Sequence, residues 1–487
     1  MSLRLTPPAK FGAHTAPGAK PALPHRRPVA AAAAAAGDKS VWLLDYGAGN
    51  VRSVRNAIKA CGFELKEVRG WEGQARGRER VAQRAPIRCG GGQRGPDPRA
   101  PLSHHLSSSP SVCLQVESAA DLARAERLIF PGVGAYEQAM GALKASGLDG
   151  PLADYVRSGR PFLGICLGLQ LLFEGSEENG GVAGLGLIPG TVRRFTCDAS
   201  TPRLPVPHIG WNDLDLAAGR PPPPMLERVG GRRVYFVHSY RAEPSPSNGD
   251  WVAATADYGG PFIAAVAKGD VCAAQFHPEK SGGAGLDVLR GFLEGSRGVG
   301  QASAEPSGRA RARGLARRVI ACLDVRANDA GDLVVTKGDQ YDVREGSEDD
   351  EQERAPGASG ASGDVRNLGK PVDLARRYYE EGADEVTFLN ITGFRETPLG
   401  DLPMLEVLRR ASEGVFVPLT VGGGIRGTTD PDGTPHSALA VAAEYFRSGA
   451  DKVSIGSDAV EAALAWYARG RVADGSSAIE QISWVSF

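Results

Sequence analysis

Three stretches have the residue types and spacing to do nucleophilic chemistry. Cys166 sits in Gly164-Ile165-Cys166-Leu167-Gly168, with a glycine two places before it and another two places after. That pattern suits a sharp strand-to-helix elbow, because side chains at the flanking positions would collide and the turn thrusts the middle residue outward. The second stretch, Gln275-Phe276-His277-Pro278-Glu279-Lys280-Ser281, carries a histidine and a carboxylate two residues apart, which an extended chain places on one side. A histidine is the usual base for a thiol, and a carboxylate fixes its tautomer. The third, Phe130-Pro131-Gly132-Val133-Gly134, reads as a strand ending in a Pro-Gly-x-Gly turn, whose glycines let backbone N–H groups face an oxyanion. A lone buried cysteine is ordinarily a packing residue. The three stretches together predict that Cys166 is a nucleophile, with His277 as its base and Glu279 as the orienting carboxylate.

The elements that must position these groups follow the grammar of an α/β protein. Ser40–Asp45 reads as a buried strand, Val51–Ala60 as a helix and Phe63–Val68 as a second strand, the opening of a doubly wound sheet. Helices are expected over Tyr136–Ser146 and Gly150–Ser158, before the Cys166 elbow. Pro207–Asn212 and Val234–Tyr240 read as strand ends carrying polar groups. Between residues 70 and 115 the chain is rich in Arg, Gly, Pro and Ser without periodicity, and it reads as an irregular insert foreign to the fold. Residues 298–314 read as a linker.

Beyond the linker four strand–helix units follow, with strands at Arg318–Val325, Glu385–Ile391, Val415–Val421 and Asp451–Ile455. Helices are expected at Pro371–Glu381, Leu402–Ala411 and Ser437–Ser448. Repeated units with polar strand C-termini, such as Asp324 and the Gly422-Gly423-Gly424 turn, are the pattern of a (β/α)₈ barrel, and a glycine turn can present N–H groups to a phosphate. Lys337 precedes an acidic, Gly/Ser-rich span that reads as a loop able to close over substrate.

Composition narrows the class. The 487 residues carry a net charge of −1, with no global field that would advertise nucleic acid or a membrane surface. Seven cysteines without a Cys-x-x-Cys pair argue for a reducing compartment and against a disulfide scaffold or a zinc site. No apolar run approaches the ~20 residues needed to cross a bilayer. Residues 1–39 hold six basic residues and no acid before Asp38, the composition of an organelle transit peptide. A plastid stroma is therefore the expected compartment, with the cytoplasm as the alternative.

The motifs Gly-Ile-Cys-Leu-Gly-Leu-Gln, Pro-Gly-Val-Gly and Phe-His-Pro-Glu-Lys-Ser resemble those of class I glutamine amidotransferases. With Pro-His-Ile-Gly-Trp-Asn and Tyr-Phe-Val-His-Ser-Tyr added, residues 40–297 resemble the glutaminase unit of the imidazole glycerol phosphate synthases. Ile-Ala-Cys-Leu-Asp-Val, Thr-Val-Gly-Gly-Gly-Ile-Arg and Gly-Ala-Asp-Lys-Val-Ser-Ile-Gly-Ser, within 315–487, resemble the cyclase barrel of the same family, in the fused order of plants and fungi. The resemblance implies that Cys166, His277 and Glu279 release ammonia from glutamine, that Gly132 and Gly134 form the oxyanion strand, and that Gln170, Ser239 and Tyr240 hold glutamine. It implies that Asp324 is a catalytic carboxylate and Lys337 a loop lysine. Gly424, Ser454, Gly456 and Ser457 would bind a phosphate of the ribotide substrate, and Arg318, Glu385 and Lys452 would gate ammonia at the barrel floor. It implies no cofactor, no metal, and a monomer once the barrel is complete. Leu315–Phe487 is shorter than the roughly 250 residues of such a barrel, so the expected cyclase is only its N-terminal half. The alternative expectation is a glutaminase alone, or an inactive fragment with a phosphate-binding half-barrel.

Overall fold

The computed structural model describes residues 40–45, 51–65, 114–116, 118–196, 204–295, 314–327, 333–337, 366–391, 398–402, 404–472 and 474–486. The leader at 1–39, the linker at 298–313 and most of the 70–115 segment lie outside the described residues. The described residues all belong to one compact unit, Ser40–Phe487, organised around two main sheets.

The first sheet contains β1 (Ser40–Leu43), β2 (Glu64–Leu65), β3 (Leu114–Gln115), β4 (Leu128–Gly132) and β5 (Phe162–Cys166), all parallel. Polar pairs β6 (His208–Asn212) and β7 (Val234–His238) form a separate antiparallel ribbon. β8 (Val252–Asp257), β9 (Pro261–Lys268) and β10 (Val271–Ala274) continue the first sheet, with β10 parallel to β5 and the short strand Asp215–Leu216 at the edge beside β8. The burial of β4 and β5 at every position explains their unbroken apolar sequence, since helices cover both faces. One cover is α1 (Val51–Ala60), which buries Val51, Val54, Ala57 and Ile58 at helical spacing. Others are α2 (Tyr136–Ala145) and α3 (Asp149–Arg157), close to the expected bounds.

The pairing around β1 corrects one boundary. Glu64 and Leu65 sit opposite Ser40 and Val41, and Leu114 and Gln115 sit opposite Trp42 and Leu43. The two short strands therefore line up end to end as one strand beside β1. Residues 114–115 belong to the sheet rather than to an insert, because their backbone groups complete the hydrogen-bond ladder that β2 begins. The apolar run was too short to declare itself in the sequence.

After the one-turn helix α4 (Leu167–Gln170) and the long α5 (Gly282–Glu294), the second sheet begins. Its parallel strands are β11 (Ile320–Ala327), β14 (Glu385–Asn390), β15 (Leu419–Gly422) and β16 (Lys452–Ser454), the four expected units in their expected order. Helices α6 (Pro371–Glu380), α7 (Met404–Ala411), α8 (Ala438–Ser448, capped by the Ser437 hydroxyl on Ala440 N) and α9 (Ser457–Ala468) separate or follow them. Two further strands, β12 (Leu333–Lys337) and β13 (Arg366–Gly369), extend the sheet antiparallel from β11. Lys337 is the last residue of β12, paired with Arg366. Strand pairing satisfies backbone groups there that the polar sequence does not advertise.

The halves share a core. Trp211 and Tyr235 pack in the same buried cluster as Leu323, Val386 and Phe388, while Phe416 joins the cluster behind β5. Lys280 pairs with Asp451 at 2.6 Å, the lysine only 3 % exposed, and Trp211 donates its indole N–H to the Asp384 carbonyl at 3.2 Å.

Candidate active site

Cys166 ends β5 with φ 53° and ψ −104°, a conformation that non-glycine residues rarely adopt and that marks a strained turn at the strand-to-helix junction. The glycines around it are demanded by space. A Cβ on Gly164 would lie 2.6 Å from the Gly168 carbonyl oxygen, and one on Gly168 would lie 2.2 Å from the Phe130 carbonyl oxygen. The elbow therefore packs directly on β4. The register puts Gly132 opposite Cys166, which brings the Pro-Gly-Val-Gly turn beside the sulfur. A Cβ on Gly132 would itself lie 2.8 Å from Leu167 Cβ, so close backbone approach is required there too. The helix beyond the elbow is a single turn, shorter than the apolar run suggested.

His277 and Glu279 meet as expected, by a different route. The strand stops at Ala274, and Pro278–Lys280 forms a 3₁₀ turn, so the pair is not on one side of an extended chain. The turn closes Glu279 Oε1 onto His277 Nδ1 at 2.8 Å. Ser281 steadies the turn, its hydroxyl donating to the His277 carbonyl at 2.7 Å and accepting from Tyr235 N at 2.9 Å. Both His277 and Glu279 are buried, and His277 Nε2 has no hydrogen-bond partner among the described residues. Burial alone would hold the imidazole neutral. The charges of Cys166 and then Glu279 outweigh it, and the His277 pKa lies well above its ordinary value. Glu279 thus holds the Nδ1 side of the ring.

Gln170 follows the elbow and is 6 % exposed. Its amide nitrogen donates to the Tyr240 carbonyl and to Gln275 Oε1, each at 3.0 Å, so this nitrogen faces the interior. Ser239 lies between His238 and Tyr240, its carbonyl accepting from Phe195 N at 3.0 Å. Gly134 has φ +96° and open space around it.

A second polar cluster lies where the halves meet. Glu385 opens β14 and is 3 % exposed. It pairs with Lys452, which opens β16, and with Arg318 at 3.6 Å, and it accepts from the Thr420 hydroxyl at 2.8 Å. Arg318 also donates to the Ile209 carbonyl at 3.3 Å, tying the cluster to the β6 ribbon. Burial lowers the Lys452 pKa, with Glu385 opposing the shift. The opposite strand ends gather the remaining candidates. Asp324 lies towards the C-terminal end of β11. Gly422 pairs with Ser454, and a Cβ on Gly423 would lie 2.1 Å from the Asn390 carbonyl oxygen. Gly424 has φ +73°, and Gly456 caps the start of α9 at Ser457.

Residues 110–294 match the class-I glutamine amidotransferase family and residues 318–467 the histidine biosynthesis protein family. The chain is 48 % identical over 457 residues to an imidazole glycerol phosphate synthase of Emericella nidulans, covering 91 % of this chain and 70 % of that protein. The chain belongs to the fused imidazole glycerol phosphate synthase family. It is also 51 % identical to the chloroplastic member from Arabidopsis thaliana, over 94 % of this chain and 65 % of that protein. A synthase subunit HisH from Syntrophotalea carbinolica matches at 40 % identity over 52 % of this chain and 98 % of its own length. The chain thus spans about two thirds of the length of the fused relatives and nearly all of the separate subunit.

The residues that sequence reasoning left without a role are Gln275, His208 and His238. Each lay inside a quoted motif, but only the fold shows that they connect to the sulfur.

Proposed function

We propose that this chain hydrolyses glutamine at Cys166 and delivers the ammonia towards the β11–β16 sheet. The reading is carried by the buried Cys166, His277 and Glu279 beside a glycine turn in register with the sulfur. The thiol proton passes to His277 Nε2, and the sulfur attacks the side-chain amide carbon of glutamine. Backbone N–H groups of the Gly132–Gly134 turn meet the oxyanion. His277 gives its proton to the amide nitrogen, the C–N bond breaks, and ammonia leaves a glutamyl thioester on Cys166. Water then attacks, losing a proton to His277, and the C–S bond breaks to give glutamate and the free thiol. Gln170, Ser239 and Tyr240 line the approach for glutamine.

Arg318, Glu385 and Lys452 serve as the ammonia gate. Beyond it, Asp324 and Lys337 act on a phosphoribulosyl formimino aminoimidazole carboxamide ribotide, one of whose phosphates rests on Gly424, Ser454, Gly456 and Ser457. The products are imidazole glycerol phosphate and an aminoimidazole carboxamide ribotide, in histidine biosynthesis. With the barrel complete, the working unit is a single copy. Residues 1–39 address it to the plastid stroma, as their basic composition without an acid before Asp38 and the chloroplastic relative suggest.

Glutamate release from glutamine by the purified chain tests the first step. Cys166→Ala should abolish it, and turnover surviving that change would end the proposal. A fluorescent fusion of residues 1–39 that stays outside plastids would end the targeting assignment.

A further inference from the structure

A continuous line of hydrogen bonds runs from the Cys166 sulfur to the far strand of the β6–β7 ribbon. Gln275 Nε2 lies 3.5 Å from Cys166 Sγ, and its Oε1 accepts from Gln170 Nε2 at 3.0 Å. Gln170 Nε2 also donates to the Tyr240 carbonyl. The same carbonyl lies 2.8 Å from His238 Nδ1, whose Nε2 lies 3.1 Å from His208 Nδ1. His208 Nε2 is 3.5 Å from Asn212 Nδ2, which donates to the Asp257 carbonyl at 2.9 Å.

Two backbone carbonyls fix the direction of every bond in this line. A carbonyl can only accept, so Gln170 must turn its NH₂ to Tyr240, and His238 must carry its proton on Nδ1. The NH₂ of Gln170 then faces Gln275 Oε1, which leaves the NH₂ of Gln275 directed at the sulfur. At the other end the Asp257 carbonyl orients Asn212, so His208 accepts on Nε2 and donates from Nδ1 to His238. Burial lowers the pKa of His208 to about 2 and of His238 to about 3, which keeps both rings neutral and the line in this one arrangement. The His208 ring is stacked on Tyr258 at 4.1 Å and on Phe236 at 4.9 Å. Gln275 has no exposed surface, so no water competes for its amide.

We propose that Gln275 is a further catalytic residue, donating an N–H to the Cys166 sulfur whenever that sulfur is negatively charged, with Gln170 and His238 as positioning residues behind it. The proposal rests on Cys166 being the nucleophile. The sulfur bears charge twice in the reaction, as the attacking thiolate and as the group expelled when the thioester is hydrolysed. A donor held in place beforehand needs no reorganisation at either moment. Gln170 then has a role that does not require contact with glutamine.

The test uses the full chain and iodoacetamide, with alkylation of the Cys166 peptide followed by mass spectrometry across pH. Gln275→Glu keeps the shape and the acceptor for Gln170 but removes the donor. Alkylation at neutral pH should slow about tenfold or more, as expected for losing a hydrogen bond to a charged group. The profile should move to higher pH, and glutamine turnover should fall to a similar degree. Gln275→Met is the second variant, expected to act in the same direction, and recovery of alkylation at alkaline pH reports that the folded thiol is intact. Gln170→Met should shift the glutamine-free alkylation profile, whereas a residue that only holds glutamine would raise KM and leave that profile alone. Wild-type alkylation profiles in both Gln275 variants, or unchanged turnover, would overturn the proposal. Glutamine turnover persisting in Cys166→Ala would instead overturn the nucleophile assignment beneath it.

Discussion

Excising residues 66–113, so that Leu65 is bonded directly to Leu114, should stabilise the protein. Leu65 and Leu114 face Val41 and Trp42, consecutive residues of β1. Neighbouring positions along a strand rise about 3.3 Å, within reach of one trans peptide bond of ~3.8 Å. The deletion thus restores one strand across four register positions without moving either end. Closing a loop costs about (3/2)RT ln n, and n of about 48 gives roughly 3.4 kcal/mol that folding no longer has to offset. At about 2.1 cal/mol/K of unfolding entropy per residue, a chain of this size gains roughly 3–4 °C in melting temperature. Differential scanning calorimetry of the two purified chains measures it. Glutaminase activity should persist, because β1 supports β4 and β4 carries Gly132 to the sulfur. A lower melting temperature, or a soluble deletion variant without glutaminase activity, would refute the reasoning by showing that the excised residues pack as part of the fold.

Gly168→Ala should cost about 3 kcal/mol or more in urea denaturation, because the added methyl has only backbone, the Phe130 carbonyl, to push against. Glu279→Gln should lower glutamine turnover by roughly 10³–10⁴-fold with little loss of fold, since it keeps the shape but no longer fixes the His277 tautomer; steady-state kinetics beside a circular dichroism spectrum checks it. His208 and His238 have depressed folded pKa values, so their contribution to stability is complete above the unfolded value near 6.5 and is lost as pH falls towards about 2 for His208 and about 3 for His238. His208→Phe, which keeps the stacked ring, should therefore flatten the fall in stability between pH 6 and 4 by about 1.4 kcal/mol per pH unit in denaturant titrations. An acid limb of unchanged slope would show that His208 does not titrate on unfolding.

The sequence by itself determined the glycine-flanked turn at Cys166, the pairing of His277 with Glu279, the glycine turn over 132–134, the helix over Val51–Ala60 and the four parallel units of the second sheet. Each rests on local rules. Glycines at 164 and 168 permit a tight turn, apolar runs at 128–132 and 162–166 require burial on both faces, and Ser437 caps a helix wherever it is placed. Tertiary structure alone decided what depends on separated segments. Residues 114–115 continue the strand that 64–65 begins because β1 supplies partners on one edge, and Lys337 ends a strand because Arg366 pairs with it. His277 and Glu279 share a side through a turn rather than a strand, a distinction that spacing cannot make. Gln275 acquires its proposed place at the sulfur because the carbonyls of Tyr240 and Asp257, far away in the chain, orient every amide and ring between them. A hydrogen-bond direction is a property of the whole line, and no segment of the sequence contains the line.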